Sequence, residues 1–173
     1  VVTNTMIIEV QNLHRRYRID SSQSIDISIP FQFNGNQPNF YDVQPGKMMP
    51  LKTGDTSWSV AQGAGCNVPE ISMNIHCSGT HTESVGHLLK DPGDVGNIVK
   101  DSFLPAVLIT VSPVNFEDCN ESYHCTVEMN EKIILKHAIK DQVEKWSDTQ
   151  PTALVIRTIP NNDNKKQQLF TQK

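Results

Sequence analysis

An α/β fold is what the sequence predicts, and three successive segments predict it. Residues 103–111 form a near-continuous apolar run with β-branched content, the pattern of a strand buried on both faces. Within 131–146, Leu135, Ile139, Val143 and Trp146 recur at helical spacing with Lys and Glu between them, which predicts an amphipathic helix whose stripe is core. Residues 152–159 read as another buried strand, and strand, helix, strand in this order favours layers with a parallel pair.

The other elements follow in chain order. Residues 6–10 and 16–19 flank a short polar turn at 11–14 and predict an antiparallel hairpin, with 1–5 read as an extraneous leader. Between 24 and 31, Ile25, Ile27 and Ile29 alternate with Asp26, Ser28 and Pro30, the period of a half-buried strand ended by proline. The stretch 33–46 is rich in Asn, Gln, Pro and Gly and reads as a loop of the length that often forms a lid or rim. Ile71, Met73 and Ile75 alternate with polar residues and predict a strand that delivers the chain into His76. No internal repeat or low-complexity segment interrupts this order.

A chain of 173 residues is long enough for one core and short for two, so residues 1–173 are expected to form a single domain. With 37% hydrophobic and 20% charged residues the balance is that of a globular protein. A net charge of −4 and no basic stripe interleaved with aromatics argue against a nucleic-acid partner. The apolar runs are far shorter than the roughly 20 residues a bilayer crossing needs, and the N-terminus has no signal-peptide apolar region, so a cytoplasmic protein is expected. Cys66, Cys77, Cys119 and Cys125 form no C-x-x-C pair and match no common zinc module. A Cys119–Cys125 disulfide beside the sequon Asn120-Glu121-Ser122 would suit a secreted protein, but free thiols in a reducing compartment are the preferred reading.

The informative stretch is 76–87, His-Cys-Ser-Gly-Thr-His-Thr-Glu-Ser-Val-Gly-His, with three of the six histidines and a carboxylate. Imidazole and carboxylate together suit zinc, manganese or iron, and on a strand-like segment His81 and Glu83, two apart, point to one side. Gly79 and Thr80 fit a tight passage out of a strand. His87, six residues after His81, is free to sit across the metal as a general base or acid. Any one of these histidines alone would more often be a surface or satisfied-core residue. The cluster is what argues for a metal site.

This stretch resembles the signature H-x-G-T-H-x-D-x-P-x-H of the cyclase-like metal-dependent hydrolases, which include bacterial kynurenine formamidase. Gly79-Thr80-His81 and His87 match it in register. The resemblance implies a swivelling β/β/α architecture and a divalent metal, zinc first and manganese next, held by His76, His81 and Glu83, with His87 as the proton-transferring catalytic residue. Strict counting places Cys77 at the first ligand, whereas His76 serves if Cys77-Ser78 holds a one-residue bulge; His76 is preferred, and both suit zinc. Glu83 stands where the signature has aspartate, and Val85 where it has proline.

The activity so implied is hydrolysis of a small amide, formamide or lactone through a metal-activated water, by a homodimer. The family pattern continues with a further helix and strand and a distal histidine and glutamate, and no His or Glu follows Thr158 here. The expectation is therefore a fold incomplete at its C-terminus and a catalytically weak chain. His124, His137, Glu121 and Glu128 are the substitute ligands to examine. The alternative reading is a non-catalytic metal-binding or structural remnant of the same fold.

Overall fold

The computed structural model describes residues 5–12, 14–91, 93–149, 151–167 and 169–170. It is a mixed α/β fold with few helices and small sheets, in which the strands pair two by two among the described residues. The chain divides into two compact units, Val1–Ile98 with Asp163–Lys173, and Val99–Asn162.

The first unit opens on the expected hairpin, β1 (Ile7–Asn12) and β2 (Arg15–Asp20), paired antiparallel with Ile8 opposite Ile19 and Val10 opposite Tyr17. These four side chains are half-buried and share one face, so cross-strand contact between apolar residues fixes the register. The Ser21 N–H donates to the Met6 carbonyl at 3.0 Å and closes the open end.

Residues 24–31, expected as a half-buried strand, are irregular, and Ile25 and Ile27 are 84% and 76% exposed. Two hydrogen bonds account for the difference. Asp26 Oδ1 accepts from the Ser28 N–H at 2.8 Å, a local turn that competes with a ladder, and the Ile29 N–H donates to Thr80 Oγ1 at 2.8 Å instead of to a neighbouring strand. The same contacts from Ser28, side chain first and backbone second, hold the Asp26 carboxyl below the usual carboxylate range.

The loop expected at 33–46 is irregular apart from the two-residue β3 (Asn39–Phe40), whose Phe40 N–H donates to the Cys77 carbonyl at 3.1 Å. Next, β4 (Lys47–Pro50) awaits its partner across a small hairpin of β5 (Lys52–Thr53) and β6 (Thr56–Ser57), where Trp58 Nε1 donates to Thr53 Oγ1 at 2.7 Å. That partner is β7 (Pro69–Ser72), antiparallel, with Lys47 opposite Ser72. It ends at Ser72, so the histidine stretch begins on a turn past the strand and not at its end. A single helical turn, α1 (Val95–Ile98), follows the stretch.

The second unit carries the expected strand, helix, strand order. β8 (Ala106–Val111) leads to β9 (Val114–Asn115), which pairs antiparallel with β10 (Lys132–Ile133); α2 (Lys136–Glu144) precedes β11 (Ala153–Thr158), which runs parallel to β8. Val107, Ile109 and Val111 are buried, while Leu108 between them is 52% exposed. β8 is therefore buried on one face, not two. Ile134, Ala138, Ile139 and Val143 pack on that face, whereas Trp146 is exposed. Burying each such aliphatic side chain contributes about 1.5–3 kcal/mol, which makes this layer the core of the unit.

The helix is shorter than the 131–146 expected. The Phe116 N–H donates to the Glu131 carbonyl at 2.9 Å and Lys132–Ile133 is drawn into the ladder, so Ile133-Ile134-Leu135 stays extended, as β-branched residues favour. Glu121 then supplies the acceptor at the helix start: its Oε1 and Oε2 lie 2.9 and 3.1 Å from the Lys136 N–H. The chain returns to the first unit, where β12 (Leu169–Phe170) pairs parallel with β3. All four cysteines are free. No helix among the described residues is long and apolar enough to cross a membrane.

Candidate metal centre

Backbone hydrogen bonds and one glycine shape the stretch 76–87. Past β7, the Cys77 N–H donates to Asn74 Oδ1 at 3.1 Å, which turns the chain so that Cys77 and Ser78 are buried at 8% and 3% exposure while His76 stays outside. Gly79 has φ of +148°, and a Cβ there would lie 3.0 Å from Phe31 Cε1 and 3.3 Å from Gln37 Nε2. Only glycine meets both the torsion and the close approach. Further on, Ser84 Oγ accepts from the Gly86 N–H at 3.1 Å and caps a 3-10 turn, Val85–Leu88, that swings His87 back towards His76.

The result gathers His76, Glu83 and His87, which each offer a ligand atom within 4.8 Å of the others. His76 Nδ1 is 3.0 Å from Glu83 Oε2, and the His76 and His87 rings lie 4.3 Å apart. His81 stands edge-on to His76 at 5.2 Å between centroids, with its Nε2 3.6 Å from Glu83 Oε2. Cys77 is buried, and it is His76 that faces the carboxylate.

Proton placement follows from what each partner can do. A carbonyl only accepts, so His81 Nδ1 donates to the Gly79 carbonyl at 2.9 Å, and in the neutral ring Nε2 is left with a lone pair aimed at Glu83. At 3.6 Å from Glu83 Oε2, His81 Nε2 is the ring nitrogen open to a proton or to a bound cation. Two imidazoles and a carboxylate within 4.8 Å of one another, with His81 beside them, are donors that suit a divalent first-row metal ion, and a backbone carbonyl that orients a histidine ring is a usual support for one. The Glu83 carboxyl is held below its ordinary range, chiefly by the His76 hydrogen bond, with smaller contributions from the charge of His87, His76 and His81, against a partial desolvation that raises it.

A family model, Cyclase, described as "Putative cyclase", matches residues 25–170. The chain belongs to the cyclase family. No curated protein and no solved structure matches it significantly.

For a cyclase-family chain the motif is compact, and the substitute ligands raised by the sequence take other places. Glu121 caps α2, and His137 Nδ1 lies 3.8 Å from it, 67% exposed. Tyr123 donates to Glu121 Oε2 at 3.3 Å, and desolvation first, then the Glu121 charge, raises its hydroxyl above the usual phenol range. His124 and Glu128 are exposed, and the Glu128 N–H donates to Glu131 Oε2 at 3.0 Å. A cavity of about 410 Å³ is lined by His76, Glu83 and His87 together with the apolar Ile75, Leu89 and Val95. In the sequence Ile75 and Phe31 count only as strand positions, and Leu89, Val95 and the Gly79 carbonyl carry no motif; the apolar side chains flanking the polar stretch at 75 and 89 are the one signal for the apolar lining.

Proposed function

We propose that this chain is a metal-dependent hydrolase of a small amide, formamide or lactone, with zinc as the first choice of metal and manganese the second. The observation that carries the reading is the group His76, Glu83 and His87, whose ligand atoms lie within 4.8 Å of one another, with His81 Nε2 beside it at 3.6 Å from Glu83 Oε2. His76, His81 and Glu83 are the proposed ligands. A divalent ion bound there would supply Lewis acidity, making a water more acidic and polarising a carbonyl.

This chain's own residues do the rest. The Gly79 carbonyl orients His81 and keeps its Nδ1 protonated. Glu83, between the imidazoles, is ionised throughout the neutral range and balances the charge. His87, exposed on its capped turn, takes a proton from the attacking water and passes it to the leaving nitrogen or oxygen. The finer architecture proposed is the swivelling β/β/α fold of kynurenine formamidase-like relatives, in one domain. A homodimer belongs to the same proposal and is supported by the exposed Ile25 and Ile27, and a cytoplasmic setting by four free thiols.

A second reading, metal binding without turnover, is favoured by the exposure of His76 and Glu83, 47% and 49%, since a wet site stabilises developing charge less. Metal content and hydrolysis of N-formyl amides, measured on the protein and on His87→Ala, separate the two. Turnover that falls far more than metal content supports His87 as the proton carrier. Equal loss of both makes His87 a ligand. Retained zinc with no turnover in the parent protein leaves the second reading standing, and no retained zinc, manganese or iron overturns both.

A further inference from the structure

We infer that Ile75, Leu89 and Val95 form a specificity wall that selects substrates by an apolar alkyl group, an inference resting on the hydrolytic reading of the same site. Three separate segments converge on it: Ile75 precedes the ligand His76 on the turn after β7, Leu89 ends the capped turn that carries His87, and Val95 opens α1. They line the same cavity as His76, Glu83 and His87.

Its volume, about 410 Å³, lies at the lower end for small-molecule sites, which suits a metabolite and not a polymer. Ile75 and Leu89 are 57% and 56% exposed, so the wall offers apolar surface that the unit's own packing leaves uncovered. A small substrate whose carbonyl is held by the His and Glu side chains shares the cavity with these three apolar side chains. The wall is also mechanically tied to catalysis, because the Leu89 N–H donates to the Gly86 carbonyl at 3.0 Å within the turn that holds His87.

The test is a methyl-resolved NMR titration of metal-free and zinc-loaded protein with N-methylformamide and N-isobutylformamide, repeated on Leu89→Ala. The expected result is saturable shifts of the Ile75, Leu89 and Val95 methyl groups, with half-saturation by the isobutyl compound at about tenfold lower concentration than by the methyl compound. Leu89→Ala should bring that preference to within about twofold without loss of fold, since the side chain is largely exposed. Shifts scattered over the surface in the metal-free protein, or an unchanged preference in Leu89→Ala, overturn the wall. Failure of the hydrolytic reading shows separately: the isobutyl compound still shifts the wall methyls while zinc brings no turnover.

Discussion

Replacing Gly79 by alanine perturbs the metal centre through its backbone. The new Cβ meets a φ of +148° that L side chains rarely adopt, and strain of this kind costs about 1–3 kcal/mol. It also meets Phe31 Cε1 at 3.0 Å and Cζ at 3.4 Å, and crowding of this kind costs about 1–3 kcal/mol, towards the lower end here because the exposed ring can yield. The two together predict destabilisation by about 2–4 kcal/mol, or roughly 4–16 °C in Tm for a chain of this size. Urea unfolding followed through Trp58, which lies in the same unit, measures it. Phe31→Ala in the Gly79→Ala background removes the tighter crowding and leaves the torsional part with the 3.3 Å contact to Gln37 Nε2. Because the Gly79 carbonyl holds His81 Nδ1–H, zinc affinity should fall about 10–100-fold alongside. A Gly79→Ala protein within about 0.5 kcal/mol of the parent, with unchanged zinc affinity, would refute both the strain argument and the tautomer argument.

Two further predictions concern charge and capping. The Glu83 carboxyl, depressed mainly by the His76 hydrogen bond, makes a contribution to stability that is present above the ordinary glutamate range near pH 4.5 and is lost as the pH falls through its lower folded value; a carboxylate 13C titration of metal-free protein should show that lower midpoint, and His76→Ala should move it up. In the second unit, Glu121→Ala removes the acceptor at the start of α2 and should cost about 1 kcal/mol in chemical denaturation, with no change in metal content.

What the sequence discloses follows from how local the causes are. The strand, helix, strand order of the second unit was legible because Val107, Ile109, Val111, Ile139 and Val143 repeat with the periods of their elements. The start of the helix was not, since pairing of Lys132–Ile133 with Val114–Asn115 lies 17 or more residues away in the chain and overrides the apolar spacing. Residues 24–31 carry the right alternation for a strand, yet Asp26 supplies its own turn and Thr80 takes the Ile29 N–H. At the candidate site, the crowding of histidines and a carboxylate within 76–87 was legible in the sequence, whereas the motif by strict count pointed to Cys77, which is buried, and it is His76 that faces Glu83. The approach of His87 to His76 was not legible, because it depends on the Ser84-capped turn, and the apolar wall depends on contacts between segments that no motif encodes.

The Ile29 N–H bound to Thr80 and the Phe40 N–H bound to Cys77 moor the histidine stretch at two points to a segment with little regular structure of its own. Neither side can let go without exposing amide protons on the other. Solvent exchange at Ile29 and Phe40 should therefore slow in step when the centre binds an ion more than thirty residues along the chain, so that an irregular loop reports on metal occupancy.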